Sequence, residues 1–77
     1  MPINEAPGDA TPVVVHALGM KCPWPALRAA RAMREADAIL IEADDPIAGT
    51  ELAALAQQHG WTFAVVGDAR FSLHRTA

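Results

Sequence analysis

The chain has 77 residues, a mass of 8.2 kDa and a net charge of −3, from six Lys+Arg against nine Asp+Glu. Hydrophobic residues make up 52%, but 17 of them are alanine, so large apolar side chains are few and the core is small. A single domain of this size gains only about 3–5 kcal/mol of net stability from burial and has little room for an enclosed cofactor. The acidic balance argues against nucleic-acid binding by backbone neutralisation. No apolar run reaches the roughly 18–20 residues of a membrane span. One cysteine, Cys22, cannot close an internal disulfide, and no Cys/His cluster has zinc spacing. A small domain without such staples fits a reducing compartment, and the expectation is a cytoplasmic protein.

Residues 1–12 carry Pro2, Pro7, Gly8 and Pro12 among small and acidic residues and no apolar signal region; they read as a disordered tail. Residues 13–77 read as one unit. Val13–His16 is a short β-branched run, the first strand. Leu18-Gly19-Met20-Lys21 is the turn after it. Pro23-Trp24-Pro25 opens a stretch rich in Ala, Leu, Met and Arg, and proline is tolerated in a first helical turn. Ala26, Ala30 and Met33, joined by Leu27, are expected to form its apolar face, with Arg28, Arg31, Arg34 and Glu35 largely off it.

Ala38–Ala43 reads as the second strand. In Asp44-Asp45-Pro46, Asp45 is placed as N-cap and Pro46 as the first residue of a second helix. Ala48, Leu52, Leu55 and Ala56 form its stripe, and Gly60 is its stop. Trp61–Val66 and the alternation around Phe71 and Leu73 are two further strands, joined at Gly67-Asp68. The order βαβαββ implies an α/β (α+β) two-layer sandwich. It has two helices on one face of a four-stranded mixed sheet, and its first two strands run parallel through a right-handed crossover.

Cys22 is the candidate nucleophile. It stands where a helix begins, so unpaired N–H groups and the positive end of the helix dipole are expected to favour its thiolate. Lys21 adds a positive neighbour. Pro23 and Pro25 cannot donate an amide, which leaves the Trp24 N–H and those beyond Pro25 as the nearest donors to the sulfur. The prolines are expected to hold the cysteine on a rigid, exposed corner that another protein can reach. Arg28 and Arg31 share a helix face near it. Trp24, between the prolines, is expected to be exposed and to anchor a partner. The plainer readings are a buried structural cysteine and arginines on a solvated face, with Arg31 paired to Glu35.

The segment Leu18-Gly19-Met20-Lys21-Cys22-Pro23-Trp24-Pro25, a C-P-x-P motif at a strand-to-helix junction, resembles the TusA (SirA-like) sulfur-carrier family. The likeness spans about residues 13 to 75 and includes the element order, Gly19 and Asp44-Asp45-Pro46. It implies that Cys22 accepts sulfane sulfur as a persulfide from a cysteine desulfurase or rhodanese-like donor and passes it to an acceptor protein. That relay would serve tRNA thiolation, molybdenum-cofactor supply or sulfur metabolism. It implies no cofactor, metal, membrane or direct nucleic-acid contact, and it places the Asp-Asp-Pro loop near the cysteine. His16 stands where the family commonly has an aspartate; a surface position or a pairing with the sulfur are both open. His59 and His74 are assigned no chemistry. With no second cysteine, the sulfur must leave to another molecule, which disfavours thioredoxin-type chemistry. The alternatives are a non-catalytic binding or regulatory module of the same fold and a redox sensor acting through Cys22.

Overall fold

The β-branched run Val13–His16 forms β1, and the remaining elements follow as α1 (Trp24–Met33), β2 (Ala38–Glu42), α2 (Ala48–His59), β3 (Thr62–Gly67) and β4 (Arg70–His74). The computed structural model describes residues 12–76. The expected tail, apart from the exposed Pro12, lies outside the described residues. The sheet order is β1-β2-β4-β3. β1 runs parallel to β2, with Val15 beside Ile41; β4 is antiparallel to both β2 and β3. This is the expected α+β arrangement, a mixed four-stranded sheet with two helices.

One face of the sheet builds the core. Val15, Ile39, Ile41 and Leu73 alternate inward along their strands, and Ala29, Met33, Ala48, Leu52 and Ala56 meet them from the helices. Phe63 and Phe71 stack at 5.9 Å between ring centres and close the core beside α2. Gly49 lets Phe71 approach, because a Cβ there would stand 3.1 Å from its ring. On the opposite face, Glu42 bridges its strand neighbours. His16 Nδ1 lies 3.0 Å from one carboxylate oxygen, and Arg70 donates to the other at 3.2 Å. His16, and after it Arg70, hold the Glu42 carboxyl below its ordinary value despite partial burial. His16 is thus a partner of Glu42 and makes no hydrogen bond to the sulfur.

The structure corrects two local expectations. The buried stripe of α1 is Pro25, Ala29 and Met33, at i, i+4 and i+8; Ala26 and Ala30 are half-buried and Leu27 is 52% exposed. Small side chains at Pro25 and Ala29 bring the helix close to the sheet, and Leu27 is turned outward. The second helix begins at Ala48 with Ile47 as its cap, two residues beyond the expected start. Asp45 instead closes a turn on itself, its Oδ1 accepting the Ile47 N–H at 2.9 Å while its carbonyl accepts the Ala48 N–H. This is an Asx turn, a local alternative that aspartate offers the backbone. At the other end Gly60 takes the left-handed conformation, φ +74°, and stops α2 as expected. β3, at the sheet edge, shifts register between Val65 and Gly67, and Val65 is left 66% exposed.

Candidate thiol site

The site is built from the loop between β1 and α1 and held by the loop between β2 and α2. After β1, the Ala17 N–H continues the ladder to Glu42, and the Ala17 carbonyl accepts the Met20 N–H at 3.2 Å. That closes a β-turn with Gly19 in third place at φ +80°, a region glycine enters without steric cost. Two carboxylates then grip the loop from across the fold. Asp44 Oδ1 accepts the Gly19 N–H at 2.9 Å, and Asp45 Oδ2 accepts the Cys22 N–H at 3.3 Å. Asp45 therefore serves two backbone donors at once, one in each loop. Loss of both through Asp45→Ala is expected to cost about 1–3 kcal/mol. Urea unfolding and faster amide exchange at Cys22 and Ile47 would read it, and unchanged exchange at both amides would contradict this tethering.

Cys22 is half-buried, and Pro23, joined to it by a cis peptide bond, is the cap of α1. The Trp24 N–H donates back to the Lys21 carbonyl at 2.9 Å, and the Leu27 N–H donates to the Pro23 carbonyl at 3.1 Å. The amide expected to serve the sulfur is therefore spent inside the turn. The groups that act on the thiol are anionic. Burial, then the nearby Glu51 carboxylate, then the charge of Asp45, push the Cys22 thiol above its ordinary value. This reverses the expected preference for thiolate. Lys21 is exposed, and its ammonium is not among the groups acting on the sulfur.

On its other side the loop carries an apolar surface. Trp24 is 61% exposed, and with Met20, Leu27, Arg28 and Arg31 it lines an open groove of about 650 Å³. Arg28 and Arg31 are exposed or nearly so and enter no ion pair among the described residues, so the suggested Arg31–Glu35 pair is not formed. Of the residues singled out from sequence, Lys21, Cys22, Pro23, Trp24, Pro25, Arg28 and Arg31 follow one another along the loop and α1. Gly19, Asp45 and Pro46 lie in the two facing loops. Glu51, Asp44, Met20 and Leu27 were missed in these roles. Glu51 stands 29 positions from Cys22, and only the packing of α1 on α2 brings the two together. His59 stacks on Trp61 at 4.4 Å, and His74 meets the Arg75 carbonyl, both at the far end of the sheet from the loop.

The fold and site define a small thiol-presenting α+β domain whose one cysteine sits at the head of its first helix. The chain belongs to the sulfurtransferase TusA family, whose model matches residues 13–74. No curated protein matches the chain. Membership carries the general property of that family, sulfur transfer. Among the described residues no helix is long and apolar enough to cross a membrane.

Proposed function

We propose that the protein is a cytoplasmic sulfur carrier that holds sulfane sulfur as a persulfide on Cys22. The observation that supports it most is the placement of the chain's one thiol. It is half-exposed at a loop tied down by Asp44 and Asp45, beside an uncovered apolar groove, in a chain of the TusA family. The Cys22 sulfur attacks the outer sulfur of a persulfide on a cysteine desulfurase or rhodanese-like donor. The donor's S–S bond breaks, and the donor departs as a thiol. An acceptor cysteine on a relay protein then attacks the terminal sulfur of Cys22. The transfer is isoelectronic and needs no cofactor or metal. Pro23 and Pro25 fix the chain around the sulfur, with Gly19, Asp45 and Pro46 shaping the loops.

Trp24, Arg28 and Arg31 form the docking surface in this reading. An exposed tryptophan flanked by two free guanidinium groups suits an apolar, acidic patch on a partner. Incubation with a cysteine desulfurase and cysteine, followed by intact mass under non-reducing conditions, tests the proposal. A gain of one sulfur atom supports it, and an unchanged mass with every donor class overturns it. Trp24→Ala is expected to slow loading by a protein donor roughly tenfold or more, the weight of an anchor worth above about 1.4 kcal/mol. Alkylation of Cys22 by a small reagent should stay unchanged. Equal loading of the variant would remove Trp24 from the docking surface.

A further inference from the structure

The two edges of the sheet differ. β3 shifts register between Val65 and Gly67, the kind of irregularity that discourages a further strand. β1 holds its register with β2 from Val13 beside Ile39 to His16 beside Glu42, and it carries no proline, lysine or carboxylate. The Ala17 N–H donates to the Glu42 carbonyl. Counting back in twos, the main-chain groups of Val15 and Val13 also face β2. Those of Val14 and His16 therefore face outward, and among the described residues no strand takes them.

Beside this edge runs an open groove of about 440 Å³ between β1 and α1. Val13 and Val14 line it and are about half exposed. From α1 it receives Arg28 and Arg31, both exposed and in no ion pair among the described residues, and one carboxylate, Glu35. The His16 ring, also at the groove, is held by Glu42. The same two arginines line the Trp24 groove, and β1 leads directly into the loop that carries Cys22.

We propose that this edge is a strand-addition site, on which a protein partner lays an extended segment of alternating acidic and apolar residues as a fifth strand. The segment bonds to the outward main-chain groups of Val14 and His16. Side chains of an added strand alternate between the two faces of the sheet. Those on the helix side meet Arg28 and Arg31 and are Asp or Glu. Those on the other side lie beside Val14 and are apolar. The inference deepens the carrier reading and rests on it for the partner, which is held at the approach to the thiol.

The test is an NMR titration of the wild-type protein with a synthetic six-residue peptide of alternating Val and Glu, capped at both ends. Hydrogen exchange at the Val14 and His16 amides is expected to slow about tenfold at a peptide concentration about ten times Kd. Exchange at Val15, already bonded to β2, should stay unchanged. A peptide N-methylated at alternate residues keeps the charge but loses main-chain donors, and it should protect neither amide. Arg28→Gln combined with Arg31→Gln should weaken binding of the acidic peptide by about tenfold. Circular dichroism shows whether that variant is folded, and the wild-type titration stands without it. Absence of protection at Val14 and His16, or equal binding of the N-methylated peptide, overturns the added strand. Protection of both amides before any peptide is added also overturns it, because the edge is then already covered. A second copy would show as protection that rises with protein concentration, and a segment of the chain itself as protection that does not. No sulfur moves in the titration, so a silent edge on a protein that loads sulfur removes this inference alone. Failure of the carrier reading shows instead as a wild type that cannot be loaded.

Discussion

Cys22→Ser is expected to abolish sulfur loading outright, with no detectable sulfur adduct under conditions that load the wild type fully. The reason is chemical. The hydroxyl oxygen of serine does not attack a sulfane sulfur or hold it as a persulfide, and the chain has no other thiol to substitute. The fold should survive. The thiol is half-buried and takes no part in the core cluster, so the change in unfolding free energy should stay within about 1 kcal/mol. The tether that positions the loop runs through the backbone N–H of residue 22, which serine retains. Intact mass and urea unfolding on the same sample separate the two effects. A sulfur adduct on the serine variant would place the sulfur elsewhere and remove the basis of the proposed mechanism.

The second large effect lies in the core. Leu52→Ala is expected to cost about 2–5 kcal/mol, from lost burial and the cavity left behind. Leu52 has no solvent exposure and packs at the middle of the α2 face that meets the sheet. Its neighbours Ala48 and Ala56 are too small to move into the space. A domain of this length holds only about 3–5 kcal/mol in reserve, so the variant should be largely unfolded at 25 °C. Circular dichroism with urea titration would show it. A loss below about 1 kcal/mol would mean that the helix is not anchored through Leu52. Leu27→Ala, although it removes the same side chain, should be nearly neutral for stability, since Leu27 faces solvent.

That contrast between two leucines shows what the sequence made legible. Local signals were sufficient for element order: a β-branched run marked the first strand and apolar alternation the last two, prolines opened α1, and Gly60 closed α2. The face of α1 was misread because alanine carries little directional information. With apolar alanines on every side of the helix, the stripe through Pro25, Ala29 and Met33 competes on nearly equal terms with the one through Ala26, Ala30 and Leu27. Asp45 was legible as a residue that bonds backbone near a helix start, but not as one that reaches across to Cys22. Its two oxygens serve donors 23 positions back and two positions forward, and only the first depends on tertiary structure. Of the site, the cysteine and its exposed tryptophan were legible, whereas its electrostatics were not. The helix start and Lys21 lie next to Cys22 in the chain. The outcome was decided by burial and by Glu51, which no local pattern connects to residue 22.

The grip of Asp44 and Asp45 on the loop has a kinetic corollary. A segment already immobilised by Gly19 and Cys22 hydrogen bonds need not be ordered when another protein arrives. Less entropy is surrendered at encounter, so a given lifetime of the complex can be reached with a smaller footprint. In the proposed relay the protein visits a donor and an acceptor in succession and leaves each promptly. Rigidity built in beforehand, in place of adhesive area, is how a body this small can recognise both without lingering on either.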